Sequence, residues 1–112
     1  MIIEAFLKNE LTDALRDPVY LEIPENPPDK FVAIERTGGS EENTIRTATI
    51  TVQSYGGTLY EAASLNADVR AAMFDLVNSD DICRVELNSD YNYPDIARKR
   101  HRYQAVFEIY YY

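Results

Sequence analysis

The β-branched run Thr44–Tyr55, TIRTATITVQSY, constrains the fold of this chain more than any other feature. Residues of this type favour strands, and alternation along a strand places one set of side chains on each face. The apolar set is Ala48, Ile50 and Val52, and the other set is Thr47, Thr49, Thr51, Gln53 and Tyr55. The pattern predicts a long strand whose apolar face packs against helices, while its polar face meets solvent or another subunit.

A helix start follows this strand directly. Gly56-Gly57 interrupts the strand, and Thr58 and Glu61 form the T-x-x-E pattern of a capping box. In such a box each side chain satisfies a free backbone N–H of the first helical turn. The helix is predicted over residues 58–78, with apolar residues at helical spacing. These are Ala62, Leu65, Val69, Ala72, Met73 and Leu76.

The rest of the chain alternates shorter predicted elements with turns. Met1–Leu15 has leucines at i, i+4 spacing and is predicted to be a helix, and the proline-rich segment Pro24–Asp29 is predicted to be a stiff turn. Further strands are predicted at Pro18–Ile23, Lys30–Thr37, Ile82–Ser89 and His101–Tyr112, with an aromatic, polar loop at Asp90–Lys99. We therefore predict one α+β domain over residues 1–112, with a mostly antiparallel sheet and two helices packed on one face.

The glycine pair Gly38-Gly39 invites two interpretations. Glycines after a strand can cradle a phosphate, but no helix is predicted to follow here, and Glu41 and Glu42 would repel an anion. A hairpin loop that projects from the sheet is therefore the favoured interpretation. The predicted loop consists of Gly38, Gly39, Ser40, Glu41, Glu42 and Asn43.

The charge of the chain is strongly acidic and unevenly distributed. The net charge is −8 over 112 residues, which makes non-specific nucleic-acid binding unfavourable. All but one of the 19 acidic residues precede Ile96, whereas a basic cluster follows it. The cluster comprises Arg98, Lys99, Arg100 and Arg102. Three interpretations stay open for it: a nucleic-acid contact, a solvated loop, or a contact with an acidic protein surface.

Few residues carry the chemistry of an active site. Cys83 is the one cysteine and His101 the one histidine, so there is no zinc-site spacing and no local context for a catalytic triad. Cys83 is interpreted as a small buried side chain in a strand of a protein from a reducing compartment. The acidic pairs at 41–42 and 80–81 are typical of solvated turns. We predict no enzymatic activity, cofactor or metal site. The sequence also has no signal-peptide pattern or long apolar run, which favours a non-exported, cytoplasmic setting without membrane contact.

The nine tyrosines crowd towards the end of the chain, which closes with Tyr110, Tyr111 and Tyr112. Tyrosine is enriched at interfaces because it offers a large contact area at small entropic cost. A strand that alternates between two faces places these aromatic side chains on both. The ending indicates a contact between subunits, and the alternative is a two-sided strand that uses amphipathic residues.

Two segments carry a family resemblance. Pro27–Gly39 is PPDKFVAIERTGG, and Ala48–Thr58 is ATITVQSYGGT, followed by the alanine-rich EAASLNADVRAAM. The chain resembles the tail terminator proteins of long-tailed bacteriophages in these segments and in the order of its elements. That order is a helix, a proline turn, a strand ending in Arg-Thr-Gly-Gly, a β-rich segment, an alanine-rich helix and final strands. These are also called tail-completion or minor tail proteins. Tyr55 stands where the strand of that family often ends in tryptophan.

The resemblance implies a structural role in virion assembly. Family members form a homohexameric ring that caps the tail tube, ends polymerisation of the major tail tube protein and offers a face to the head–tail connector protein. DNA passes through the channel without specific binding, which an acidic lumen would favour. The implied location is the tail of the virion, after synthesis in the host cytoplasm. The resemblance makes the 38–43 loop a candidate contact or channel lining, and the 98–102 cluster a candidate contact with acidic surfaces of adjacent subunits.

Two other hypotheses stay open. The first is a head-closure or adaptor protein of the head–tail connector, since such proteins share small α+β or β-rich folds. The second is a small enzyme or ligand-binding domain, which a well-formed apolar pocket with perturbed acids would favour.

Overall fold

The fold is a five-stranded sheet with two helices, and the computed structural model describes all residues from Met1 to Tyr112. In chain order the elements are α1 (Ile3–Leu15), β1 (Val19–Tyr20), β2 (Phe31–Glu42), β3 (Ile45–Gly56), α2 (Leu59–Asp75), a short 3-10 turn (Leu76–Asn78), β4 (Ile82–Asn92) and β5 (His101–Tyr111). The strand order is β1-β2-β3-β5-β4. All neighbours are antiparallel except β1 and β2, which are parallel. The predicted α+β fold with a mostly antiparallel sheet is confirmed.

The main core lies between one face of the sheet and the two helices. Ala48, Ile50 and Val52 of β3 are fully buried there, as the alternation of the run predicted. Their partners on β5 share this face, because directly paired residues point the same way. The helices contribute Ile3, Leu7, Leu11, Leu65, Val69 and Met73. The other sheet face carries no helix but holds a smaller buried cluster of Phe31, Ala33 and Tyr55. The predicted exposure of this face is therefore wrong for Tyr55, which is fully buried, and for Thr51, which is also buried.

The start of α2 follows the capping prediction in part. The Thr58 hydroxyl accepts a hydrogen bond from the Glu61 backbone N–H at 3.1 Å. The Glu61 carboxylate does not return to the Thr58 backbone but accepts from the Thr58 hydroxyl at 3.4 Å. The predicted apolar stripe is buried except for Ala72, which is half-buried. Gly56 passes so close to the helix that a Cβ there would lie 2.5 Å from the Ala62 backbone nitrogen.

The predicted loop at Gly38–Asn43 is wrong, because β2 continues through both glycines to Glu42. The register shifts at a β-bulge formed by Thr37, and the two glycines that follow pair with Thr49 and Ala48 of β3 without a positive φ. A side chain at Gly39 would be strained, because its Cβ would lie 2.9 Å from the Thr47 backbone carbonyl oxygen and would also displace the Arg36 guanidinium. The chain reverses instead at Asn43-Thr44, whose φ angles are 51° and 69°. Two residues with positive φ form the type of tight turn that matches the twist of a hairpin.

Other boundaries also differ from the prediction. The first strand covers Val19–Tyr20 only, rather than Pro18–Ile23, since it pairs only with Val32 and Ala33 of β2. β4 extends beyond Ser89 to Asn92, because its last residues pair with β5. The predicted loop Asp90–Lys99 is correspondingly shorter. Cys83 lies at a bulge of β4 and is half-buried rather than buried.

Candidate protein-interaction surface

The connection between β4 and β5 forms an exposed surface at one end of the sheet, which we call the hairpin-end surface and define as Tyr91, Tyr93, Ile96, Arg98 and Lys99. Ile96 is 80% exposed and Tyr93 is 47% exposed. The two tyrosine rings contact each other edge to face, with centroids 5.9 Å apart. Aromatic residues and arginine are enriched at protein interfaces relative to the rest of protein surfaces.

The support beneath this surface is the buried carboxylate of Asp95, which is 5% exposed. It accepts hydrogen bonds from the Tyr55 hydroxyl at 2.8 Å and from the Arg98 backbone N–H at 3.1 Å. The guanidinium groups of Arg98 and Arg102 lie 3.3 and 3.6 Å from the same carboxylate. A buried charge is stabilised only when it is paired and hydrogen-bonded, as it is here. Asp95 thereby joins the turn to strands β3 and β5.

The two acidic groups of this network have opposite pKa shifts. Burial raises the pKa of Tyr55, its bond to Asp95 raises it further, and Arg102 acts against both. Burial also acts to raise the pKa of Asp95, but hydrogen bonds from Tyr55 and Arg98 and the charge of Arg102 outweigh it and hold that pKa below its usual value. Tyr55 therefore stays the protonated donor and Asp95 the ionised acceptor.

Arginine side chains pack against the aromatic rings at the hairpin end of the sheet. The Arg102 guanidinium lies 4.3 Å from the ring centroid of Tyr93 and 5.7 Å from that of Tyr55, and its Nε donates to the Tyr93 carbonyl at 2.7 Å. Tyr55 also stacks on Phe31 at 4.2 Å. Arg100 donates to the carbonyls of Pro28 and Pro27 at 2.9 and 3.1 Å. These contacts form a small second core on the face opposite to the helices.

The four predicted basic residues therefore serve different purposes. Arg100 and Arg102 are largely engaged within the chain, with side chains 25% and 13% exposed. Arg98 is 46% exposed while it contacts Asp95. Lys99 is exposed, has a φ of 56° and forms no ion pair within the chain. Arg98 and Lys99 are thus the cations that this end presents outward.

The three tyrosines at the end of the chain, which were predicted to form a contact between subunits, lie in three different environments. Tyr111 is buried in the main core at 2% exposure. Tyr110 is half-buried on the opposite face, with the Arg84 guanidinium 5.6 Å from its ring centroid. Tyr112 is exposed. For Tyr110 and Tyr111 the structure matches the alternative of a two-sided amphipathic strand.

The Gly38–Asn43 segment lies at the opposite end of the sheet from the hairpin-end surface. β3 pairs Arg46 with Tyr111 at one end and Gly56 with His101 at the other. Ser40, Glu41, Glu42 and Asn43 are exposed at the far tip, where Glu41 pairs with Arg46 at 3.1 Å. The structure brings this segment close to Tyr111 and separates it from the basic cluster.

Two polar networks were not predicted from the sequence. One is the Tyr55–Asp95 pair, whose residues lie far apart in the chain. The other joins Asn66 of α2 to Asp90 of β4 at 2.7 Å, with Arg70 at 3.0 Å from the same carboxylate. The sequence signal for the second was a polar residue, Asn66, beside the apolar stripe of the helix. For the hairpin-end surface the signal was the aromatic composition of the segment, which does not say which rings are exposed.

No group of three or more His, Cys, Asp or Glu side chains is arranged to hold a metal ion. The helices are too short or too polar to cross a membrane. No protein-family model matches the chain, and no curated protein sequence matches it at a significant level.

Proposed function

We propose that this protein is a structural component of a virion that forms a ring on the tail tube of a long-tailed bacteriophage. The ring ends polymerisation of the tube protein and joins the tail to the head connector. The proposal rests on the resemblance of Pro27–Gly39 and Ala48–Thr58 to tail terminator proteins. It is compatible with the two-helix, one-sheet fold, since the sheet keeps one face free of helices.

The observation that supports an assembly role most directly is the hairpin-end surface. Exposed tyrosines and an exposed isoleucine lie beside outward cations on a turn that is fixed by the buried Asp95 network. A rigid aromatic surface loses little conformational entropy on association, so more of its contact energy appears as affinity. A ring protein must make such contacts with its own copies and with the tube.

The acidic balance of the chain fits the passage of DNA through the proposed ring. A net charge of −8 in each copy sums to a large negative charge around the channel. Such a field repels phosphate groups and keeps DNA from adhering to the wall. In this proposal DNA is therefore transported past the protein without being bound.

The test is to determine the assembly state with and without tail tubes. Native mass spectrometry and negative-stain microscopy should show a closed ring, with six copies expected, alone or at one end of purified tubes. A protein that stays monomeric and binds no tube would rule the proposal out. Binding to a portal or connector complex, with no binding to tubes, would support the head-closure or adaptor alternative.

A further inference from the structure

Two depressions of opposite charge lie at the two ends of α2. The first, which we call the basic cleft, has a volume of about 380 Å³ and has no apolar side chain in its lining. It is bounded by the Gly56-Gly57 backbone just before the helix and by the segment that connects to β5. Its lining residues are Asp29, Gly56, Gly57, Arg98, Lys99, Arg100 and His101.

The basic cleft keeps a positive charge that the chain does not neutralise. Asp29 lies 3.9 Å from Arg100, and Asp95 pairs with Arg98. Lys99 lines the cleft, is exposed and has no carboxylate partner. Lys99 therefore lies beside Arg98 and Arg100 in a region of positive charge, although the chain as a whole has a net charge of −8.

The second depression, which we call the acidic groove, lies between α1 and the end of α2 and has a volume of about 300 Å³. Its two charged residues are Glu10 of α1 and Asp75 of α2, and both are exposed. Neither carboxylate forms an ion pair within the chain. The remaining lining residues are Ala14, Ala72, Leu76, Asn78 and Ser79.

The separation of the two depressions means that they cannot meet within one chain. α2 has 17 residues, which corresponds to a length of about 26 Å at 1.5 Å per residue. The partial charges of the helix ends have the same signs as the side chains near them, positive at the basic cleft and negative at the acidic groove. The charges are therefore complementary only between different copies.

We propose that the basic cleft of one copy binds the acidic groove of a second copy, with Lys99 placed between Glu10 and Asp75. This inference rests on the proposed self-association and identifies the contact that makes it. The two surfaces are different, so the contact is head-to-tail and can repeat around a closed ring. It also offsets the mutual repulsion of copies that each carry a charge of −8.

The test compares matched charge reversals by sedimentation and native mass spectrometry of the full chain. Lys99→Asp should weaken association by about tenfold, since it replaces an attraction with a repulsion. Arg16→Asp is the control, because Arg16 is also an exposed cation without an ion pair and has a similar φ of 63°. Aspartate tolerates this left-handed conformation. The control should associate like the wild type.

A charge swap makes the test specific. Glu10→Lys with Asp75→Lys should weaken association as Lys99→Asp does, and the chain with all three changes should recover it. The difference in association between the wild type and Lys99→Asp should also narrow as salt is raised from about 50 to 500 mM, because exposed ion pairs are screened. Circular dichroism of each variant checks that it is folded.

The outcomes separate this inference from the proposed function. If the wild type forms a ring and Lys99→Asp weakens it no more than Arg16→Asp does, the proposed contact is wrong. The proposed ring function then still stands. Open head-to-tail chains that depend on Lys99 would support the contact and count against the ring. A wild-type chain that stays monomeric, with or without tail tubes, would overturn both.

Discussion

At the scale of single residues, Gly56 shows how closely the strand–helix junction is built. A Cβ at this position would lie 2.5 Å from the Ala62 backbone nitrogen and 2.8 Å from the Glu61 Cβ. Because neither the backbone nor the first helical turn can move freely, Gly56→Ala should destabilise the protein by about 1–3 kcal/mol. Urea unfolding followed by circular dichroism measures this change.

The neighbouring glycine provides the control for that prediction. A Cβ at Gly57 would have its nearest neighbour at 3.5 Å, an ordinary contact, and its φ is not positive. Gly57→Ala should therefore be neutral or stabilising by up to about 1 kcal/mol, since it lowers the entropy of the unfolded chain. Equal destabilisation by both substitutions would contradict the proposed steric cause.

Asp95 gives a second prediction at this scale, because its carboxylate holds the hairpin-end surface in place. Asp95→Asn should destabilise the protein by about 1–3 kcal/mol at pH 7, since Arg98 and Arg102 lose their charged partner. The folded-state pKa of Asp95 is lowered, so its contribution is present above its usual pKa of about 3.9 and is lost as the pH falls through the folded-state value. Unfolding in urea at pH 7 and at lower pH measures this difference.

The sign of the pH effect separates this cause from general damage to the fold. The stability difference between wild type and Asp95→Asn should narrow as the pH is lowered below about 4. Tyr55→Phe is the matched control, because it keeps the ring stacked on Phe31 and removes only the hydroxyl that donates to Asp95. Tyr55→Phe should lower the free energy of unfolding by less than Asp95→Asn does. It should also retain part of the wild type's pH dependence of stability. A difference that stays constant across this pH range would refute the electrostatic explanation.

At the scale of elements, the β2–β3 hairpin contains a strained turn that can be improved. Thr44 is β-branched and has a φ of 69°, a conformation that favours glycine. Thr44→Gly completes an Asn-Gly turn and should raise stability by about 1 kcal/mol, with a higher melting temperature. Thr47→Gly in the adjoining strand should lower stability, since it has no such strain to relieve. If Thr44→Gly also lowers the melting temperature, the turn is not strained.

Some features of the strands and helices could be predicted from the sequence alone. Alternation in the run Thr44–Tyr55 predicted that Ala48, Ile50 and Val52 lie on the helix-covered face, because the alternating direction of side chains in a strand is a local property. The Thr58 cap was predictable for the same reason. The turn was misplaced because Gly38-Gly39 is a stronger turn signal than Asn43-Thr44, and only the pairing with β3 shows that both glycines stay in the strand, directly after a bulge at Thr37.

The candidate site was less predictable because it depends on contacts that are distant in sequence. The basic composition of residues 98–102 was evident, but which cations face outward is decided by Asp95, Tyr55 and the Pro27-Pro28 carbonyls. The same limit applies to the chain end, where the pairing of β5 with β3 and β4 buries Tyr111 in the main core. Local patterns predict residue types at a surface, while long-range packing selects the exposed ones.

At the scale of the whole molecule, the hairpin-end surface should matter for assembly and not for folding. Ile96 is 80% exposed, so Ile96→Asp should leave the melting temperature of the isolated chain unchanged. In an interface, however, a buried unpaired carboxylate is costly, and the variant should bind partners at least about tenfold more weakly.

Ile2→Asp is the matched control, since Ile2 is 70% exposed and precedes α1 as its N-cap, where aspartate is favourable. The measurement is the ring fraction by native mass spectrometry together with pull-down on tail tubes. Loss of assembly with Ile96→Asp, but not with Ile2→Asp, would place the hairpin-end surface at a protein contact, whereas equal behaviour of the two variants would exclude it.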